Sequence, residues 1–597
     1  MIEYGNIDGM KAYLAETVVV GSGASGYNAA CLLRKGFVDD LLVITDGRRE
    51  GSSRNTGASR QSYYRLSSDG DSVLEMARDL FDGGALDGDV ALAEASLSTQ
   101  SFMRLSELGI PFPTSRYGES IGYSTGFDSR NRTTTIGPNT GKYMTDYLEY
   151  EANREGVDVL ENHHLVRICQ KHGIIKAIIV LDRETAERKI ILTRNLVLAT
   201  GGSCGIFSET ATPSGLYGTL GLSIEAGVRC SNLTECQFGL TAIDPRMKMD
   251  GILMTSLPRF ISIDGSGVEH EFLVEAGLGR EDIEKLLILK GNEWAFDVRK
   301  TEGSSKLDIL VLDEIRKGRK VYLDYMHSLK TGAETPASII RRENYLLASY
   351  LSDRGADISR NYIEVTVGAE HFNGGIAVDS WWQSNVEGLF AIGEASSATG
   401  IYSPTGSSFN MGQVSARRAS SWILEHGIGD WYVDPMNLEE DVKLVDSIAD
   451  NAMEGSIDAL SVLDEVRTLM SSSMGIVRNM EGLKVALVKV DGYLSNFDSI
   501  KVDRTSLIWM LFELRNVLLT AKAMLESAMD YMENGGKNRA SALYEGRDVE
   551  TEIPAIQEVI LKDGALEISR RAPRPILTSD DPFDEIWKSY RRNKNVY

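Results

Sequence analysis

The sequence feature that most constrains the fold is the stretch from Val18 to Leu33, where three valines lead directly into Gly21, Gly23 and Gly26. Gly21 allows a tight turn, Gly23 lets backbone approach a pyrophosphate, and Gly26 lets the next helix pack closely against the strand. A second apolar strand ends at Asp46, twenty residues past Gly26, where an acidic side chain can bind the ribose hydroxyls of an adenosine. The glycine spacing alone would also fit an ordinary turn, but strand, turn, helix and acid together predict a dinucleotide site.

Composition excludes several classes of partner. The 86 acidic and 63 basic residues give a net charge of −23, which argues against nucleic acid and anionic membranes. No apolar run reaches the roughly 18 residues of a membrane span, so direct membrane insertion is not expected. The five cysteines show no spacing typical of metal ligands, and His163–His164 belongs to no cysteine or acidic cluster, so no metal site is predicted. The odd number of cysteines and their lack of paired spacing favour a reducing cytoplasmic location.

Other segments extend the nucleotide site or interrupt it. Residues before Ala15 are interpreted as a short leader, and the polar loop from Gly47 to Leu66 as either a surface loop or a lid over a phosphate. Residues 242–364 mix short strand-like segments with charged helical segments and are interpreted as an insertion. The glycine-rich style returns at Gly368, and a helix beginning near Ser407 would direct its positive end at the cofactor. From about 438 the pattern is helical, and a hairpin is predicted at the Asp563–Gly564 turn.

Five ordered motifs resemble the flavoprotein subunits of succinate dehydrogenase and fumarate reductase, a superfamily that includes aspartate oxidase. The similar segments are VVVGSGASGYNAA, LATGG at 198–202, the run from Gly215 to Gly239, EHFNGGIAVD, and GLFAIGE. GIVR and ELRNVLLTA in the helical part also match. The resemblance implies an α/β fold, with a Rossmann-like FAD-binding domain interrupted by an α+β capping domain and followed by a C-terminal helical domain. The implied boundaries are 1–241 and 365–430 for the FAD-binding domain, 242–364 for the cap, 438–535 for the helical domain, and 536–597 for an extension with a hairpin.

The resemblance also implies which residues contact FAD, with the substrate lying between the cap and the FAD-binding domain. The implied FAD contacts are Gly21, Ser22, Gly23, Ala24, Gly26, Asp46, Ser53, Asn55, Thr56, Gly57, Val166, Thr200, Gly201, Glu394, Ser407, Ser408 and Phe409. The loop that carries a flavin-linked histidine in some members has none here, so FAD is expected to be non-covalent.

The departures from the family concern the substrate. The histidine that would hold a substrate carboxylate is replaced by Gly239, and an arginine of similar role by Ser403. Arg259 is the one arginine near the segment that delivers a proton in fumarate reduction, and it stands off register. Because each buried carboxylate needs a charge-assisted partner, the substrate is expected not to be a dicarboxylate.

The expected reaction is hydride exchange between flavin N5 and an organic small-molecule substrate. His371 is the first candidate for the accompanying proton, with a packed histidine as the alternative; Tyr402, Glu370 and Arg259 are the expected polar surroundings. A packing role is favoured for Tyr402 over a catalytic hydroxyl, and the alternative for Arg259 is a surface residue of the cap. A second hypothesis is an electron-transfer subunit with an iron–sulphur partner protein, and a third is a non-catalytic flavin-binding protein.

Overall fold

The structure, a computed structural model, describes residues 1–125, 128–293, 295–329, 332–428, 438–534, 541–547 and 555–576. The predicted domain boundaries at 430 and 535 therefore lie outside the described residues, and the predicted extension at 536–597 is described only in part.

A parallel sheet forms the base of the nucleotide site. In spatial order its strands are Leu389–Ala391, Asn195–Leu198, Thr17–Val20, Leu41–Thr45 and Asp158–Glu161. Every residue of the first four is buried, which explains their continuous apolar character. Helices Ala24–Lys35 and Ser407–His426 pack against each other beside this sheet. Chain segments almost four hundred residues apart thus build one layer.

Further elements surround the parallel sheet. The helices are Ser52–Asn55, Val73–Asp82, Gly88–Glu107, Thr140–Arg154 and Leu220–Glu225. A small antiparallel sheet contains Ser62–Tyr64, Asp128–Thr135 and Tyr123–Thr125.

The interpretation of the residues before Ala15 as a leader is wrong. They form a hairpin, Ile2–Ile7 and Met10–Leu14, whose turn at Asp8–Gly9 has φ values of 49° and 88°. The hairpin joins a five-stranded sheet through parallel pairing with Arg188–Leu192. That sheet continues with Ile174–Asp182 and His163–Lys171, which pair with each other as an antiparallel hairpin. The pairing partner lies more than 170 residues away, so no local pattern indicates it.

The insertion has its own antiparallel sheet and core. Its strands, in spatial order, are Met247–Lys248, Cys236–Ala242, Ile363–Phe372, Lys320–Asp324, Arg259–Ile263 and Glu269–His270. Its helices are Ile252–Thr255, Phe272–Glu275, Arg280–Asn292, Lys306–Arg316, Pro336–Glu343 and Tyr345–Asp353. Strands Cys236–Ala242 and Ile363–Phe372 pair with each other where the chain enters and leaves the insertion.

In the described part of the chain after residue 438, four helices precede a hairpin. The helices are Glu439–Asp450, Ala459–Ser473, Met480–Ser495 and Trp509–Glu533. Short strand pairs, Ile457–Asp458 with Ile500–Lys501 and Val477–Arg478 with Leu543–Tyr544, connect them. The predicted hairpin is confirmed as Ile556–Lys562 and Ala565–Arg571, which extends a sheet containing Cys230–Ser231 and Gly375–Ile376. Both turn residues have positive φ, as a two-residue hairpin turn requires.

Candidate functional site

A cavity of about 730 Å³ lies at the carboxyl-terminal edge of the parallel sheet. Its lining includes Val20, Thr45, Ala199 and Ile392, which end or follow four of the sheet's strands. Ligands of open α/β sheets bind at this edge, because the carboxyl ends of parallel strands and the first turns of the following helices meet there.

The three glycines of the first turn have separate structural roles. Gly21 has φ +111°, and a Cβ on it would lie 2.3 Å from the Ala199 carbonyl oxygen. A Cβ on Gly26 would lie 2.0 Å from the Gly21 carbonyl oxygen, so only glycine lets the helix approach the strand this closely. A Cβ on Gly23 would meet only Ser53 Oγ, at 3.4 Å, and Gly23 lines the cavity. The fold therefore requires Gly21 and Gly26, whereas Gly23 leaves space for a ligand.

Asp46 lines the cavity and is held by His164, for which the sequence predicts no role at the nucleotide site. His164 Nδ1 lies 3.1 and 3.0 Å from the two Asp46 carboxylate oxygens, and its Nε2 lies 3.5 Å from Glu513. Burial opposes both charges, but the pairing overrides it: the pKa of Asp46 is lowered and that of His164 is raised. Trp509 packs against the His164 ring, and both line the cavity. The long helix Trp509–Glu533 therefore closes the Asp46 end.

The loop after Asp46 lines the cavity, as the lid interpretation predicts. It contains the short helix Ser52–Asn55, whose Ser53 Oγ accepts a hydrogen bond from the Ala24 backbone at 3.4 Å. Arg54 instead turns away, into ion pairs with Asp146 and Glu149. The small residues stay on the cavity side, where a phosphate could approach the backbone.

The remaining predicted FAD contacts divide into two groups. Those that line the cavity are Ser22, Ala24, Asn55, Thr56, Thr200, Gly201, Glu394, Ser408 and Phe409. Those that do not line it are Gly26, Gly57, Val166 and Ser407. Val166 points into the core, and its neighbours His163, His164 and Leu165 line the cavity instead. Gly57 lies against Met247.

The predicted substrate residues are not brought together. His371 lines the large cavity, but Tyr402 lines a separate cavity of about 250 Å³, where the Arg299 guanidinium lies 3.5 Å from its ring. Arg259 lines neither cavity: it pairs with Asp324 at 3.0 Å and with Glu271 at 2.7 Å. The Arg259 side chain therefore forms its ion pairs inside the cap and does not reach the cavity, which corrects the expectation that it surrounds the substrate.

The structure places other side chains beside His371 instead. The part of the cavity that we call the cap-side wall consists of Arg60, Lys248, Asp250, Glu370 and His371. Lys248 Nζ lies 3.9 Å from Glu370, and Asp250 accepts a 2.8 Å hydrogen bond from the Ser59 backbone. Of these five, sequence reasoning named only His371 and Glu370, because the others occur in no recognisable motif.

The cavity fits an adenine dinucleotide such as FAD. Gly21 and Gly23 provide a tight turn, and the start of helix Ala24–Lys35 provides backbone N–H groups for the phosphates. The ionised Asp46 provides an acceptor for ribose hydroxyls. The second helix, Ser407–His426, begins at the same cavity, with Gly406 in a left-handed conformation at φ +87°. FAD bound here would supply hydride chemistry at its flavin ring.

Comparisons with known proteins define the class. The FAD binding domain family matches residues 16–409, so the chain belongs to this family. An FAD-dependent oxidoreductase of Methanocaldococcus jannaschii is 25% identical over 537 residues, covering 87% of this chain and 92% of that protein. A fumarate reductase (CoM/CoB) subunit of Methanothermobacter marburgensis is 23% identical, covering 88% and 94%. A quinol fumarate reductase structure from Escherichia coli superposes with a TM-score of 0.75 at 18% identity, covering 96% and 98%.

The chain is therefore an FAD-dependent oxidoreductase, and it is similar at low identity to fumarate reductase flavoproteins. The predicted fold class and the FAD cofactor are confirmed. Within the described ranges, no helix combines the length and the apolar character needed to cross a bilayer. The same part of the chain contains no group of three or more metal-ligating side chains.

Proposed function

We propose that this enzyme exchanges a hydride between FAD and an organic substrate that carries at most one carboxylate. The observation that supports this is the charge of the cap-side wall, where two basic side chains, Arg60 and Lys248, face two acidic ones, Asp250 and Glu370. If Glu370 is protonated, the wall has one surplus positive charge. One substrate carboxylate can then be paired, and a second would lose its hydration without a partner, at a cost of several kcal/mol.

The test is an anaerobic screen of the purified flavoprotein. Oxidised protein is mixed with succinate, aspartate, and neutral or singly charged alcohols and amines; reduced protein is mixed with fumarate and with neutral or singly charged unsaturated compounds. Flavin absorbance reports electron transfer in each mixture. We expect a neutral or singly charged compound to change the redox state of the flavin and the dicarboxylates to leave it unchanged. Rapid turnover of fumarate, succinate or aspartate would refute the proposal about charge.

A second candidate is a flavoprotein subunit that passes electrons to an iron–sulphur partner. It is favoured by the relatives, since one carries the name of a fumarate reductase subunit, while another is a quinol fumarate reductase. Native purification followed by iron analysis separates the two candidates. A stoichiometric iron-containing partner would support the second, whereas flavin turnover by the isolated chain with a small-molecule donor and acceptor supports the first.

We further propose a reducing, cytoplasmic location and non-covalent FAD. All five cysteines are buried and none forms a disulfide within the described chain, which agrees with a reducing compartment. The cavity-lining helix Ser52–Asn55 contains no histidine, which agrees with a flavin held without a covalent bond.

A further inference from the structure

We propose that Glu370, rather than His371, exchanges the proton that accompanies hydride transfer, and that it acts on a polarised C=C or C=O bond of the substrate. This inference rests on the proposed function, because it assigns a role in hydride exchange at the same cavity.

The backbone is irregular at Glu370, where the strand pairing shifts register. In the pairing of Ile363–Phe372 with Cys236–Ala242, Gln237 lies opposite His371 and Phe238 lies opposite Ala369. Glu370 is therefore the extra residue of a β-bulge. In a regular strand, neighbouring side chains point to opposite faces, but here Glu370 and His371 both line the cavity. Bulges redirect side chains in this way and often occur next to active sites.

The Glu370 carboxyl occupies the space beside Gly239. A Cβ on Gly239 would lie 2.6 Å from Glu370 Oε1, so any side chain at 239 would displace the carboxyl group. Position 239 is the one where the family resemblance implies a carboxylate-binding histidine. Gly239 therefore does two things: it removes a carboxylate-binding side chain, and it leaves space for the Glu370 carboxyl from the facing strand. A group that would attract a substrate carboxylate is replaced by one that would repel it when ionised.

The buried environment of Glu370 favours its protonated form. Its Oε2 has no hydrogen-bond partner among the described residues. Burial raises the pKa of Glu370 to about 8, against the opposing charges of Lys248 and Lys290, while Asp250 and Asp308 raise it further. Glu370 therefore holds a proton at neutral pH. Lys248 Nζ, 3.9 Å away, can stabilise the carboxylate that remains when the proton leaves.

The hydrogen bonds of His371 exclude it as the acid while its ring is neutral. The Asn373 amide nitrogen donates to the carbonyls of Gly400 and Ile401, so its oxygen accepts from His371 Nδ1 at 3.1 Å. The neutral ring then has its hydrogen on Nδ1, and Nε2 can only accept. Its Nε2 also lies 4.0 Å from Glu394, whose carboxylate accepts the Phe372 backbone N–H. His371 thus offers the substrate an acceptor beside the Glu370 donor.

The proposed step balances. In reduction, one atom of the polarised double bond receives the hydride with both electrons, and the neighbouring atom receives the proton as the O–H bond of Glu370 breaks. The double bond becomes single, and the Glu370 carboxylate is reprotonated from solvent. Oxidation of an alcohol or of a saturated ketone is the reverse, with the carboxylate as the base.

The test compares E370Q, E370D and H371Q with a control, E364Q. Glu364 lies on the same strand as Glu370 and accepts a hydrogen bond from Lys320 of the adjacent strand. FAD content and thermal midpoint first establish that each variant folds. The midpoint potential of the bound flavin is then measured against pH. We expect its pH dependence to change near pH 8 in wild type, H371Q and E364Q, and to lack this change in E370Q. A change retained in E370Q, or lost in H371Q, would overturn the assignment.

A second measurement uses the neutral enone 2-cyclohexenone as the probe. Reduced holoenzyme is mixed with it anaerobically, and flavin reoxidation is followed. We expect E370Q to be slowed about 100-fold, E370D less, and E364Q not at all. If wild type and E370Q reoxidise at rates within about twofold, Glu370 is not the acid. If neither 2-cyclohexenone nor any neutral or singly charged compound reacts with wild type, the proposed function fails, and the potential measurement still decides whether Glu370 titrates beside the flavin.

Discussion

Replacing Gly23 or Gly26 by alanine should separate the ligand-binding role of the first turn from its packing role. In G26A the new Cβ would lie 2.0 Å from the Gly21 carbonyl oxygen, whereas ordinary contacts begin near 3.4 Å. The obstructing atom belongs to the backbone and cannot rotate away, so helix and strand must separate by more than 1 Å. Overpacking of this kind costs about 3 kcal/mol. In G23A the new Cβ meets only Ser53 Oγ, at 3.4 Å, so the apoprotein should keep its stability within about 0.5 kcal/mol.

The two variants should therefore lose FAD for different reasons. G26A should lower the thermal midpoint of the apoprotein and weaken FAD binding about 100-fold, which is the effect of about 3 kcal/mol. G23A should keep the apoprotein midpoint and weaken FAD binding at least tenfold, because its methyl group fills the space left for the pyrophosphate. Flavin fluorescence titration and thermal unfolding of apoprotein measure both quantities. An apoprotein of G26A as stable as wild type, or G23A with unchanged FAD affinity, would refute this reasoning.

Three further predictions follow from the structure. Asp308→Asn should destabilise the protein by about 3–5 kcal/mol in chemical unfolding, because it leaves the fully buried Lys290 charge without its partner, and a Lys290→Met/Asp308→Leu double variant should recover most of the loss. The folded pKa of His164 is raised above 6.5. The stability that its pairing with Asp46 contributes is therefore present below pH 6.5 and is lost as the pH rises through the folded value. The variant His164→Gln should flatten this part of the curve of unfolding free energy against pH. Acid precipitation should release all of the flavin into the supernatant, and yellow colour retained by the pellet would contradict non-covalent binding.

The His164 pairing also shows how far the adenosine end depends on the helical part of the chain. Glu513 belongs to helix Trp509–Glu533, and burial raises its pKa to about 7, against the charge of His164. A histidine lying between Asp46 and Glu513 connects the nucleotide sheet to this helix. Loss of the helix packing would therefore be expected to disturb the ribose site although the two are far apart in sequence.

The sequence alone was sufficient to predict the class of cofactor, and most of the predicted FAD contacts line the cavity. Gly21 and Gly26 are required by the local backbone, because one has positive φ and the other touches a carbonyl oxygen within the same turn. Such constraints are visible in a short stretch, as are buried strands with continuous apolar residues. The fold class, the turn at Asp563–Gly564 and the start of the helix at Ser407 were predictable for the same reason.

Only the tertiary structure decided which of the candidate side chains line the cavity. Whether Arg259 reaches the cavity depends on Asp324 and Glu271, which capture it within the cap. Whether Glu370 reaches it depends on a bulge set by pairing with a strand 130 residues earlier, and on the space left by Gly239. Cross-strand register and side-chain volume are long-range properties, so no local pattern encodes them.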